Sequence, residues 1–187
     1  IVGLDVNHKE IVETIATNGT STVTTTRSFF RINRIRVTLS GSTQAAVGNI
    51  TFTINSLTAG YIIAGAGNAR NGIFTVPAGC SYFISQLVGA MIKSVVGTGT
   101  VELIAILPDT NTRLKRFNIP VNSLAPPTTI NLDGPFYIRI PEKTDLFMEI
   151  DYCSDNNTQV ECLVTGMLVK ASYIPKFLTW QVLEIML

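Results

Sequence analysis

Histidine is nearly absent from this chain. Among 187 residues there is one, His8. A Ser-His-Asp or Cys-His nucleophile needs an imidazole to take its proton, so either would rest on His8 alone. That residue stands beside Lys9 in a short polar stretch, which suits an exposed turn. Cysteine is scarce too. Cys80, Cys153 and Cys162 are widely spaced and form no CxxC pair, which argues against a zinc site. Cys153 and Cys162 flank the polar loop 154–159 and could pair across a hairpin, although reduced, half-buried thiols are the better reading.

Charge is also in short supply. Charged residues make up 14% of the chain against 46% hydrophobic, where roughly a quarter charged is ordinary. The net charge is +1, so nothing points to phosphate-driven nucleic-acid binding, which needs a clustered basic face. A threonine- and asparagine-rich surface with so little charge suits a protein whose faces are covered by neighbours. An ordinary β-protein with a neutral polar surface fits equally well. No run of about 18 apolar residues is present, so no helix is expected to span a membrane. No secretory leader pattern is visible. The chain starts at Ile1 rather than Met, and the first strand is expected to lack part of its natural N-terminal neighbourhood.

What is present is strand after strand. The organising stretch is GIFTVPAGCSYFISQLVGAMIK, residues 72–93. It reads as a short strand, a Pro-Ala-Gly turn and a long apolar strand over 81–93. Tyr82, Ile84 and Val88 are expected on one face and Leu87 and Met91 on the other. Gly89 marks a place where another backbone approaches. Before it, the β-branched residues of 10–17 and 20–26 predict two strands joined at Asn18-Gly19, a strong hairpin dipeptide. In FFRINRIRVTLSG the apolar alternation slips by one residue, which predicts a β-bulge at Asn33-Arg34. The slip directs Arg31, Arg34 and Arg36 away from the core. With Arg27 they form a local basic patch, either a contact for an acidic partner or phosphate or a solvated strand face.

Ile50, Phe52 and Ile54 alternate with Thr51 and Thr53 as a clean strand. The glycines and alanines of 56–71 suggest a linker. The run GAGNARNG lacks GxGxxG spacing and no helix pattern follows it, so it is not read as a phosphate loop. From Gly72 onward about eight strands follow, with turn signals every eight to twelve residues or so, as in antiparallel sandwiches and jelly rolls. The stretch 101–107 reads as a central strand and 113–121, with its charge and Pro120, as an edge strand. Leu146, Met148, Ile150 and Tyr152 are expected inward, with Asp145, Glu149 and Asp151 outward.

The expected fold is therefore all-β. A smaller, incomplete antiparallel module (1–58) precedes an antiparallel, jelly-roll-like β-sandwich (59–172), and a hydrophobic tail or arm (173–187) follows. The tail is rich in large apolar groups, among them Phe177, Trp180, Leu183 and Ile185. It would either complete a sheet or dock on a neighbouring subunit. Candidate chemistry is thin. Glu142, Asp145, Glu149 and Asp151 could supply a carboxylate pair, but alternation makes the last three look like solubilising charge. Asp145, Asp151 and Asp155 do not have EF-hand spacing. No catalytic, cofactor or metal residue is assigned.

Two blocks carry a resemblance. The first is GLDVNHKEIVETIATNGTSTVTTTRSFFRINRIRVTLSG, residues 3–41. The second is GIFTVPAGCSYFISQLVGAMIK together with IPEKTDLFMEIDYCSDNNTQVECLVTGMLV, residues 140–169. Together they resemble virion structural proteins of tailed, podovirus-like bacteriophages. The resemblance implies a non-enzymatic capsid or tail component, acting as decoration, cement, minor capsid or fibre-base subunit, found in the virion after assembly in the host cytoplasm. Its partners would be other virion proteins and copies of itself, in a trimer or another closed ring, with no specific nucleic acid and no membrane. Family members end near Lys170, so the tail departs from the pattern. The expected interface residues are Arg31, Arg34, Arg36, Phe177, Trp180, Leu183 and Ile185. The alternative is a receptor- or glycan-binding fibre domain using Tyr61, Asn68, Asn71 and Asn156.

Overall fold

The computed structural model describes residues 1–41, 44–69, 72–92, 96–108, 110–131, 138–154 and 158–174. The fold is all-β and antiparallel, and the chain forms two compact units, Ile1–Ala78 and Gly79–Leu187. The sequence suggested a division at 58/59. Instead β4 (Ile50–Ile54) and β5 (Leu57–Ile62) form one hairpin that spans that point, turned through Asn55 and Ser56, both at positive φ.

The stretch read as a linker is part of the first unit's core. Ile62 packs with Ile35 and Ala46, and around them lie Ile32, Val37, Ile50, Phe52, Ala66 and Ala69. The loop after β5 is tied down by backbone bonds from Val37 to Gly67, Ala46 to Ala66, Gly65 to Ala46 and Ala69 to Ile35. Glycine is needed at position 67, where a Cβ would stand 2.6 Å from the Gln44 carbonyl oxygen. Gly67 allows backbone to approach backbone, and composition alone makes that look like flexibility.

The other elements of this unit are β1 (Val2–Leu4), β2 (Glu10–Val12), β3 (Arg31–Arg34) and β6 (Ile73–Thr75), with β1 to β3 in the sheet order β2-β1-β3. The predicted hairpin of 10–17 and 20–26 is not formed. Asn18-Gly19 does turn the chain, with Gly19 at φ 55° and the Ser21 N–H donating to the Asn18 carbonyl. Strand pairing, however, stops at Val12. The threonines of 22–26 bring extended propensity but no apolar face to bury, and propensity without packing does not hold a strand.

The second unit is a sandwich. One sheet has β7 (Cys80–Ile92) between β13 (Gln159–Lys170) on one side and β10 (Thr128–Asn131) and β11 (Ile138–Ile140) on the other. The other sheet runs β12 (Asp145–Cys153), β8 (Thr98–Ile106), β9 (Arg113–Asn122). The first strand pairs with the last and the second with the last but one, which is jelly-roll-like winding. β8 is central and buried, and β9 is at the edge, both as its residues predicted.

Gly89 joins the two sheets. A Cβ there would stand 2.8 Å from Ile119 Cγ2 and 2.9 Å from Val121 Cγ1. What approaches Gly89 is thus two side chains of β9 rather than a backbone. β7 also carries a bulge that the alternation concealed. Thr165 pairs with Gln86 and Gly166 with Ile84, which leaves Ser85 as an extra residue. The phase slip puts Ile84 on the same face as Leu87, and both are fully buried. The expected grouping of Ile84 with Val88 is corrected accordingly.

Candidate functional site

The basic strand is built by its bulge. Arg34 pairs with Val2 and Ile32 with Gly3, so Asn33 is the residue left over. Ile32, Ile35 and Val37 all reach the core despite their uneven spacing. Asn33 uses its side chain as a substitute for backbone. Its Nδ2 donates to the Thr75 carbonyl at 2.8 Å, and its Oδ1 accepts from the Thr75 N–H at 2.9 Å. Thr75 is fully buried and Asn33 half-buried, so these bonds are partly shielded from water.

The consequence is that Arg34 and Arg36 lie exposed on either side of buried Ile35. Neither has an acidic side chain in ion-pair range among the described residues. Their charge is felt locally. The Ile1 amino group is pushed below its ordinary value, first by burial and then by Arg34 and Arg36. Arg31 is half-buried and differs from them. Its guanidinium stacks on the Phe30 ring at 4.4 Å, and His8 meets the same ring edge-on at 5.2 Å.

Beside this strand, 14–25 is closed by one carboxylate. Glu13 Oε1 accepts from the Thr26 N–H at 2.8 Å and the Thr26 hydroxyl at 3.1 Å, and Oε2 accepts from the Arg27 N–H at 2.9 Å. The two backbone bonds dominate in holding its carboxyl below the usual range.

The second unit offers two further surfaces. β13 is twelve residues long and pairs only with β7 among the described residues. Its Leu163 and Met167 are 57% and 53% exposed. On β12 the expected inward face ends early. Leu146 is buried, but Ile150 is 50% exposed and Tyr152 is 56% exposed. A further bulge lies at this end of the strand. Ile150 pairs with Val101 and Tyr152 with Thr100, so Asp151 is extra and stands exposed. Asp151 has no cationic side chain in ion-pair range among the described residues, whereas Glu149 pairs with Arg113.

No group of metal-ligating side chains occurs among the described residues. Glu102 was not singled out from the sequence, yet it is buried on β8 at 3% exposure, opposite Glu149 and Asn118. All three cysteines are half-buried thiols outside any disulfide, and burial pushes the Cys162 thiol up. Tyr61 is exposed on β5 and Asn68 bridges to Arg36. Asn71 and Asn156, and the tail residues Phe177, Trp180, Leu183 and Ile185, lie outside the described residues. Comparison with protein-family models, curated proteins and solved structures returns no match.

Proposed function

We propose that this chain is a non-enzymatic structural subunit of a virion, adding contacts to a capsid or tail as a decoration, cement, minor capsid or fibre-base protein. One observation carries the assembly role. Among the described residues, β13 pairs on one side only along its twelve residues, and Leu163 and Met167 are exposed on it. Long open edges that expose apolar groups invite pairing with another chain, and monomeric proteins blunt them with charge or proline. Within β13, Glu161 is the one charged residue before Lys170 and there is no proline. The low overall charge agrees, and the virion setting comes from the resemblance of 3–41, 72–93 and 140–169. Partners would be copies of the chain and other virion proteins, in a trimer or another closed ring.

Purified particles test this reading. The chain should be present in high, symmetry-related copy number, and its absence from purified particles would sink the proposal. The glycan-binding alternative rests on Tyr61 and Asn68, and it replaces the first reading if the chain is confined to a tail tip and binds a glycan array.

A further inference from the structure

The two compact units carry opposite charge. Residues 1–78 hold six Lys and Arg against three Asp and Glu, a net +3, and residues 79–187 hold eight against ten, a net −2. In each unit a bulge brings part of that excess to the surface with no ion-pair partner among the described residues. On the first, the extra residue Asn33 leaves Arg34 and Arg36 exposed beside buried Ile35. On the second, the extra residue is Asp151 itself, flanked by the exposed side chains of Ile150 and Tyr152. We propose that Arg34 and Arg36 of one copy dock on Asp151 and Tyr152 of a second copy, so that copies join head to tail.

The chemistry of the two patches is complementary. A guanidinium presents a planar fork of donors that matches a carboxylate. It also stacks on an aromatic face, as Arg31 already does on Phe30 at 4.4 Å. Two arginines beside one aspartate and one tyrosine can use both modes together. An isolated ion pair on an open surface contributes little. Here Asp151 lies along the strand between two exposed side chains, Ile150 and Tyr152, so a second copy seated on this stretch covers apolar surface as the pair forms. Glu149 is held by Arg113 and adds field rather than a free fork acceptor. The two patches differ, so the contact is heterologous, and it closes into a ring or runs on as a filament according to the angle between copies. This inference rests on the assembly role proposed above and names the surfaces that perform it.

Sedimentation equilibrium of the full chain at low ionic strength tests it, with thermal unfolding as a fold control. Arg34→Glu with Arg36→Glu should weaken self-association more than about tenfold, as should Asp151→Arg, because like charges then face each other. All three positions are exposed, so the unfolding temperature should hold. The triple reversal should recover the association lost by each side. A wild-type chain that stays monomeric at low ionic strength overturns the inference. So does association indifferent to both reversals, or a triple variant that rescues nothing. If particles contain the chain in high copy number while any of these results holds, the assembly role stands and this contact does not.

Discussion

Asn33 is the residue on which the basic strand turns. Its amide exchanges two hydrogen bonds with the backbone of fully buried Thr75. Asn33→Ala removes both and leaves a small void, and a destabilisation of about 2 kcal/mol is expected from lost bonds at a buried site. The urea midpoint measures it. Asn33→Asp should do at least as much harm at neutral pH, because a carboxylate would then face the Thr75 carbonyl without a proton to donate. The Glu13 clasp differs because it lies at the surface, with its carboxylate only partly covered. Its folded pKa lies below the ordinary 4.5, so its contribution is present above that value and fades as pH falls through the lower, folded one. Amide protection of Thr26 and Arg27 should therefore persist at neutral pH and be lost in acid below 4.5. Glu13→Gln should show less protection at neutral pH and little change on acidification. Protection of Thr26 and Arg27 that ignores both acid and Glu13→Gln would remove the clasp from the description.

At the level of elements, two glycines distinguish a soft contact from a hard one. A Cβ on Gly89 would meet side-chain methyls of Ile119 and Val121 at 2.8 and 2.9 Å, while one on Gly166 would meet the Phe83 carbonyl oxygen at 2.3 Å. Relief at Gly89 requires the layer carrying Ile119 and Val121 to give slightly, since their χ1 angles are stiff, whereas relief at Gly166 requires two paired backbones to part. Gly89→Ala should cost about 1 kcal/mol and Gly166→Ala about 3 kcal/mol, the two ends of the usual range for overpacking. Equal costs would mean that the sheets adjust as easily along a strand pair as between layers.

The same elements show what the sequence made legible. The bulge at Asn33 could be read because apolar residues on both sides of it shift phase. The bulge at Ser85 could not, because β7 is apolar on both faces and a slip leaves no trace in the alternation. β8, buried on both sides, was recognisable as a continuous apolar run, and Pro120 with its charged neighbours marked β9 as an edge. The threonine run misled for the opposite reason. β-Branching records how a residue fits a strand, whereas a strand exists only where something pairs with it. The glycine-rich stretch misled because close backbone packing and looseness call for the same residue. Of the candidate surfaces, the arginine face could be read for the reason the first bulge could. The outward Asp151 could be read from alternation too, whereas the exposure along β13 depends on which strands meet, and alternation along one strand does not record that.

At the scale of the whole molecule, two forces are available for joining copies, and they respond to salt with opposite sign. The Arg34, Arg36 and Asp151 contact is electrostatic, and screening shortens its reach from about 10 Å at 0.1 M to about 3 Å at 1 M ionic strength. Pairing at β13 buries Leu163 and Met167, and burial of apolar groups is strengthened by excluded salts such as sulfate. Self-association followed from low to high sulfate should therefore first fall and then recover. Leu163→Lys with Met167→Lys should flatten the recovery and spare the low-salt arm. Both side chains are more than half exposed, so the double variant should keep its stability within about 0.5 kcal/mol. A monotonic fall would leave the charged contact as the sole force and remove β13 from the assembly. A monotonic rise would do the reverse and leave the opposite charges of the two units to steer copies into orientation rather than hold them.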